Sequence, residues 1–299
     1  FFLRLWDFFV QAPQVGASIG KAPIRLNDNA PMSEKLAARI ANGETGKFDA
    51  ELFSFIATDF LSGVQSAFKR SMNHADVRFA YGLQDDAFIT ALEMNLFHFS
   101  AGKTLAEIQE LNKAFRESGN FQEFSKKAEQ ICGTFNKTWQ KTEYETAVLT
   151  AESASNYHRL MGKTKMFPYW KYVTAGDEKV REEHRKLDGV ILPANDPRWK
   201  KIFPPNGWKC RCRVVPLMKH EVEGIDINAM RAIVDEYLGT SEWKMNEAQG
   251  WDSNRGETAE VFSKNQHYIR KFPDKAASLL GDLHYNDYGL ESFCLLYTS

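Results

Sequence analysis

The stretch that decides the fold is Tyr172–Leu217, which reads YVTAGDEKVREEHRKLDGVILPANDPRWKKIFPPNGWKCRCRVVPL. It carries glycines, which permit turns with positive φ, and prolines, which fix φ and stop a preceding helix. These residues are Gly176, Gly189, Gly207, Pro193, Pro197, Pro204 and Pro205. Such a segment cannot be one long helix. It predicts a short strand, a charged helix and a long irregular loop that returns to a strand.

Apolar, aromatic and β-branched runs place strands around that loop. We expect strands at Tyr169–Thr174, Val190–Leu192 and Arg213–Leu217, because such residues favour pleated, half-buried backbone. Between the first two, Asp177–Lys186 begins with acidic and ends with basic residues, an order that complements a helix dipole. This part of the chain therefore predicts a small antiparallel sheet with a short helix.

Upstream of the sheet, the chain predicts almost continuous helix. Apolar residues recur there at spacings of three and four, as at Phe48, Leu52, Phe55, Ile56, Val64 and Phe68. Helix starts are predicted at Thr104 (a capping box with Glu107), at Asn120 and at Thr142 (a capping box with Glu145). The fold class is therefore α+β, a mostly helical N-terminal region followed by a small α+β module with a short antiparallel sheet.

The chain is expected to divide into consecutive segments. Residues 1–31 predict a linker or the end of an upstream domain, and 32–163 the helical region. Residues 164–222 form the module around the deciding stretch, and 223–240 a further helix. Residues 241–299 predict a polar linker and the start of a truncated C-terminal domain.

Composition excludes some classes of protein. The chain has 299 residues, 43% of them hydrophobic and 26% charged, as in a soluble globular protein. No window approaches the roughly 18 apolar residues of a membrane span. Four cysteines do not make a disulfide framework, which favours a reducing compartment at synthesis.

The charge is unevenly distributed. From Lys163 to Lys219 there are 14 Lys and Arg against 6 Asp and Glu, a net charge of +8 in a chain of net charge −1. Basic residues also lie close to Trp199 and Trp208, namely Lys200, Lys201, Lys209, Arg211 and Arg213. This pattern is typical of contact with a nucleic-acid backbone. The alternative is a solvated, salt-bridged surface with buried tryptophans, and we favour burial for Trp208.

His184, Cys210 and Cys212 have the ligand chemistry that zinc prefers, with Asp188 or Asp177 as a further ligand. Against this, residues two apart in a strand point to opposite faces, so joint ligation requires a bend at Arg211. We therefore expect no cofactor, with only one cysteine facing inward and His184 fixing the loop; zinc is the alternative.

Enzymatic interpretations use the same residues. A cysteine within hydrogen-bond reach of His184, oriented by Asp188, would be a nucleophile. Asp177 and Asp188 would bind a divalent ion in a nuclease; the simpler interpretation puts Asp177 at a helix start and Asp188 in the turn with Gly189. The chain contains no Walker loop, dinucleotide fingerprint or His-Glu-x-x-His helix.

The deciding stretch resembles the signature of the phage Mu F-like family of minor head proteins. The pattern T-x-G-D-x-x-V-R-x-x-H-x-x-L-D-G is followed by D-P-x-W and then P-P-N-G-W-x-C-R-C-x-V-x-P. The matching positions are Thr174, Gly176, Asp177, Val180, Arg181, His184, Leu187, Asp188, Gly189, Asp196, Pro197, Trp199, Pro204, Pro205, Asn206, Gly207, Trp208, Cys210, Arg211, Cys212, Val214 and Pro216.

The resemblance implies a minor head protein of a tailed phage or prophage. Such a protein would act in capsid assembly near the portal, with portal and capsid proteins and the backbone of double-stranded DNA as partners. It would be found in the virion, and in the host cytoplasm during assembly. The rival hypothesis is a nuclease or a group-transfer toxin with its chemistry in the module or in a truncated C-terminal domain. No catalytic residue is predicted.

Overall fold

The computed structural model describes residue 24, residues 29–72 and residues 83–274. Its helices in chain order are α1 (Met32–Ala41), α2 (Ala50–Met72), α3 (Leu83–Arg116), α4 (Phe121–Gly133), α5 (Gln140–Met161), α6 (Glu182–Arg185), α7 (Trp199–Ile202), α8 (Ile227–Leu238), α9 (Ser241–Ala248), α10 (Arg255–Thr258) and α11 (His267–Lys271). A π-helical turn at Thr134–Trp139 joins α4 to α5, and a 3₁₀ turn occupies Lys219–Val222. None of the described helices is long and apolar enough to cross a membrane.

Three strands form one antiparallel sheet. They are β1 (Tyr169–Val173), β2 (Ile191–Pro193) and β3 (Arg213–Leu217), in the order β2-β1-β3. Trp170 faces Leu192 on one side and Pro216 on the other. The predicted α+β class, helical first and with a short antiparallel sheet, is confirmed.

The described residues fall into two compact units that alternate along the chain. The helical unit contains residues 24–59, 97–141 and 267–274, and the sheet unit contains 60–96 and 142–266. The consecutive segments predicted from sequence stay a prediction.

The helical unit has an aromatic and aliphatic core. Phe53 and Phe97 are buried with ring centroids 6.1 Å apart, and Phe124 packs edge-on against Phe115. Each fully buried aromatic of this size contributes roughly 2–3 kcal/mol through the apolar surface that it removes from water.

The sheet unit is built around Trp170 and Tyr172, both fully buried on one face of β1. Trp199 and Phe203 pack against Trp170 with ring centroids 5.8 and 5.9 Å away. The core also contains Tyr157, Leu160, Leu187, Val190, Leu192, Ile202, Val214, Val234, Tyr237 and Trp243. The irregular loop therefore packs over the sheet through its own aromatic residues.

Local signals placed some helix ends correctly. The Asn120 side chain accepts a hydrogen bond from the backbone N–H of Glu123 and starts α4 as predicted. Asp226 and Thr240 cap α8 and α9 in the same way.

The two predicted capping boxes are wrong. Thr104 lies inside α3, and its hydroxyl donates to the Ser100 carbonyl one turn earlier. Thr142 lies inside α5, because the π-helical turn continues the backbone from α4. A serine or threonine in mid-helix can bond the preceding turn, so the motif alone does not fix a helix start.

Two further expectations differ from the structure. Of the helix predicted at Asp177–Lys186, only Glu182–Arg185 is helical, since turns occupy the residues before it. The stretch expected to be a polar linker contains α9, and Trp243 and Trp251 are fully buried there. Burial of two large aromatic side chains outweighs the polar composition around them.

Candidate functional site

The centre of the irregular loop is Asn206, a fully buried amide. Its Oδ1 accepts a hydrogen bond from the Tyr172 hydroxyl at 3.3 Å, and its Nδ2 donates to the carbonyls of Lys201 at 3.1 Å and Trp251 at 3.4 Å. These bonds connect β1, α7 and the chain after α9. A buried amide with this many partners fixes the loop around it.

His184 is positioned by the same residue. It lies on α6 and is buried, and its Nε2 is 3.2 Å from the backbone oxygen of Asn206. A carbonyl can only accept a hydrogen bond, so this contact assigns the proton to Nε2. The lone pair of Nδ1 then faces the opposite side of the ring.

Two sulfurs lie on that side. The Sγ of Cys210 is 3.7 Å and the Sγ of Cys212 is 3.6 Å from Nδ1 of His184. The three atoms all lie within 4.8 Å of one another. The structure thus brings together the three residues that the sequence singled out for zinc.

The expectation that the two cysteines point to opposite faces is wrong, for a local reason. Both precede β3, which begins at Arg213, so strand alternation does not apply to them. Lys209 adopts a left-handed conformation with φ of 54° and turns the backbone just before Cys210.

The two thiols affect each other strongly. A hydrogen bond with Cys212 lowers the pKa of Cys210 well below its usual value despite burial, and His184 adds to this effect. The same contact, together with burial, raises the pKa of Cys212.

Neither predicted carboxylate joins the cluster. The Asp177 carboxylate receives two hydrogen bonds from Arg211, at 2.6 and 2.7 Å, which lower its pKa to about 2. Asp188 Oδ1 accepts a bond of 2.7 Å from the backbone N–H of Thr174 and stabilises the turn between β1 and β2. Asp188 therefore does not orient His184, and Asp177 does not lie free to bind an ion.

Beside the sulfurs is a cavity of about 20 Å³, room for one water molecule. It is lined by Ala175, Lys179, Val180, Arg181, His184, Lys209, Cys210, Arg211 and Cys212.

Other signature residues hold the backbone. The Arg181 guanidinium lies over Gly207 and donates a bond of 2.6 Å to the Trp208 carbonyl. Gly176 and Gly189 have positive φ, at 73° and 82°. The deciding stretch is therefore rich in residues with structural roles.

Asp196 has a structural role of a different kind. Its buried carboxylate accepts hydrogen bonds from Arg198 at 3.1 Å and from Arg231 at 2.8 Å. Burial raises its pKa, but the bonds from the two arginines and the backbone outweigh burial, so the pKa is lowered overall. This pair of contacts fixes α8 to the loop before α7.

The basic residues are less free than their sequence suggests. Three of them are ion-paired, Lys201 with Glu247, Lys209 with Glu145 and Arg211 with Asp177. Lys200 and Arg213 are exposed and have no ion-pair partner among the described residues.

The tryptophans also differ from expectation. Trp199 is buried and donates from its ring nitrogen to the Pro193 carbonyl. Trp208, for which burial was favoured, is only half-buried, with its ring 5.2 Å from Trp251 and 5.7 Å from Phe262. Trp199 therefore offers no surface on which a base could stack.

Sequence reasoning did not identify the contacts that support His184. Asn206 was noted only as part of the signature, and Tyr172 only as an aromatic anchor. The available signal was a lone amide between two prolines and a glycine, in a loop with few other side chains able to satisfy buried polar groups.

Comparison with known proteins gives the family of this segment. Residues 108–215 match the family described as "Phage Mu protein F like protein", which confirms the resemblance seen in the deciding stretch and extends it upstream into α3. No solved structure shows a significant match to the chain.

Curated relatives match over a similar length. The chain is 36% identical over 154 residues to the "Mu-like prophage FluMu F protein" of Haemophilus influenzae, covering 44% of this chain and 36% of that protein. It is 30% identical over 152 residues to the "Putative capsid assembly protein F" of Escherichia phage Mu, covering 44% and 34%. A 47-residue match, 49% identical, is to an uncharacterised protein of Methanocaldococcus jannaschii and covers 15% and 7%. The matched segment thus spans about a third of the two phage-type relatives.

Proposed function

Because residues 108–215 place this chain in the phage Mu protein F-like family, we propose that it is a head morphogenesis protein of a tailed phage or prophage. The observation that carries the proposal is the match to a relative named as a capsid assembly protein. Its partners are then phage capsid proteins, and its place is the assembling head.

The described geometry supports a role in assembly more than one in catalysis. Most signature residues support the backbone or the core, as Asn206, Asp196 and Gly207 do. The conserved-type chemistry at His184 lacks the orienting carboxylate that a Cys–His nucleophile was expected to use.

The finer proposal places the protein near the portal. It rests on the family resemblance, in which minor head proteins act at that position. A protein present in few copies at one vertex would be needed for head formation without forming the shell itself.

Deletion of the gene from its phage or prophage tests the function. We expect induced cells to produce tails but few DNA-filled heads, with restoration by the wild-type gene supplied in trans. A variant with the surface substitution Met245→Ala is the control, since that side chain is 59% exposed, and it should restore heads equally well. Normal numbers of filled heads after deletion would refute the proposal.

Chemical cross-linking of purified heads tests the position. Lysine cross-links from this chain should connect to the portal protein far more often than to the major shell protein. Cross-links distributed over the whole shell would refute the portal position while leaving the assembly role intact.

Contact with packaged DNA is the last part of the proposal. It is supported by the net charge of +8 between Lys163 and Lys219 and by the exposed Lys200 and Arg213. The paired cations are exposed as well, and surface ion pairs contribute only up to about 1 kcal/mol. A phosphate group can therefore replace their carboxylate partners at little cost.

A further inference from the structure

We propose that His184, Cys210 and Cys212 form a zinc site with an open fourth position. This proposal is independent of the assembly function, because it rests on the donor atoms of the sheet unit alone. Thiolate and imidazole are the donors that zinc prefers, and a site with three protein ligands leaves a position for water or an exogenous ligand.

The distances fit one ion. Zinc–sulfur bonds of about 2.3 Å and a zinc–nitrogen bond of about 2.0–2.1 Å at a tetrahedral angle place sulfur and nitrogen about 3.6 Å apart. The sulfurs of Cys210 and Cys212 lie 3.7 and 3.6 Å from Nδ1 of His184. Both separations agree with a shared ion.

A purely hydrogen-bonded cluster explains this symmetry less well. Nδ1 has one lone pair, and it can accept a proton from only one thiol at a time. Two sulfurs at almost equal distances from a single acceptor are what ligands of one central ion show.

The support behind the histidine also fits a metal ligand. A ligating imidazole usually donates its other N–H to a carbonyl or carboxylate, which fixes its tautomer and orientation. Nε2 of His184 lies 3.2 Å from the carbonyl of Asn206, and Asn206 is itself held by Tyr172 and Lys201. The lone pair of Nδ1 is thereby directed at the sulfurs.

The fourth position is the small cavity beside the sulfurs, about 20 Å³ in volume. It has room for one water molecule, and the nearest candidate carboxylates are engaged with Arg211 and with the Thr174 backbone. Zinc binding would form two Zn–S bonds and one Zn–N bond and release the two thiol protons to solvent. The ion would join α6 to the loop before β3 and stabilise the sheet unit.

Metal analysis of the full-length chain, purified without chelators, tests the proposal. We expect one zinc per chain in the wild type and less than about a tenth of that in Cys210→Ser, Cys212→Ser and His184→Gln. Cys132→Ser is the matched control: Cys132 is buried in the helical unit, so this variant loses a thiol but should retain its zinc.

A second measurement covers the case in which a variant does not fold. Wild-type protein stripped with a chelator should melt at a lower temperature and recover when zinc is returned. Cobalt added to the stripped protein should give thiolate-to-metal charge-transfer absorption, and zinc should slow alkylation of Cys210 and Cys212. Wild-type protein that contains no zinc and takes up neither metal would overturn the proposal, as would full zinc retention in all three ligand variants. Rapid alkylation at His184-dependent rates without metal uptake would instead indicate a Cys–His nucleophile.

Discussion

Gly207 is the residue at which backbone conformation and packing both demand a glycine. Its φ is 152°, which side chains rarely adopt, and a Cβ there would lie 3.2 Å from the Arg181 guanidinium. That guanidinium also donates to the Trp208 carbonyl. The loop therefore depends on the absence of a side chain at this position.

We expect Gly207→Val to lower the free energy of unfolding by more than about 2 kcal/mol, through backbone strain and displacement of Arg181. Urea denaturation measures it. Gly133→Val is the control, because Gly133 is helical and a Cβ there meets nothing within 4 Å. Equal stability of the two variants would contradict the strain argument.

Glu107 is a buried acid in the helical unit. Burial raises its pKa from 4.5 to about 7, against the effects of hydrogen bonds from Cys132 and Asn136 and of the Lys103 charge. The folded protein therefore retains a proton between pH 4.5 and about 7 that the unfolded chain has lost. The stability contributed by this group is present below that window and decreases as the pH rises through it.

Glu107→Gln should remove this loss. We expect the variant to match wild type near pH 4 and to be more stable near pH 8 by up to about 3 kcal/mol. Denaturant melts across the pH range measure the difference, with exposed Glu129→Gln as the control for loss of one carboxylate. A constant stability difference from pH 4 to pH 8 would rule out titration of Glu107.

At the scale of elements, a single carboxylate connects α8 to the loop before α7. The Asp196 side chain is fully buried between Arg198 and Arg231, whereas Asp235 also bonds Arg198 but is 56% exposed. The two aspartates therefore form a natural comparison between a buried and an exposed partner of one arginine.

Asp196→Ala should destabilise the protein by about 3 kcal/mol, since removal of a buried partner leaves two guanidinium groups without their carboxylate. Asp235→Ala should cost less than about 1 kcal/mol, because solvent replaces the exposed partner. Thermal or denaturant unfolding of both variants measures the contrast. Similar losses in the two would mean that burial does not set the strength of this contact.

At the scale of the whole molecule, the question is whether the basic stretch binds DNA in spite of its internal ion pairs. Replacement of Lys200, Lys201 and Lys209 by alanine should weaken binding equally for all DNA sequences and lower the salt dependence by up to about three phosphate contacts. Fluorescence anisotropy at several salt concentrations measures the slope.

The control replaces exposed lysines of the helical unit, Lys126, Lys137 and Lys141, and thus changes the net charge by the same amount. It should leave the slope close to that of wild type. An equal loss in the two triple variants would indicate a response to net charge alone, and no DNA binding by the wild type would remove this part of the proposed function.

Local sequence determined the architecture where short-range forces decide it. The β-branched and aromatic runs placed β1, β2 and β3 within one or two residues, and Asn120 placed the start of α4. The order of glycines, prolines and aromatics in the deciding stretch also identified the family. These signals act within a few residues, so they can be read from the chain alone.

Tertiary structure decided which side chains meet. The sequence offered His184, Cys210 and Cys212 as candidate ligands but predicted that the cysteines diverge. They converge because Lys209 turns the backbone and because Asn206 holds the loop through residues as distant in sequence as Tyr172 and Trp251.

The same long-range contacts buried Trp199 against Trp170, directed Asp177 to Arg211 and Asp188 to Thr174, and left the sulfurs and one imidazole as the ligand set. Hydrogen bonds and packing between distant residues cost nothing that a local pattern records. Their effect on a site is therefore visible only in the folded chain.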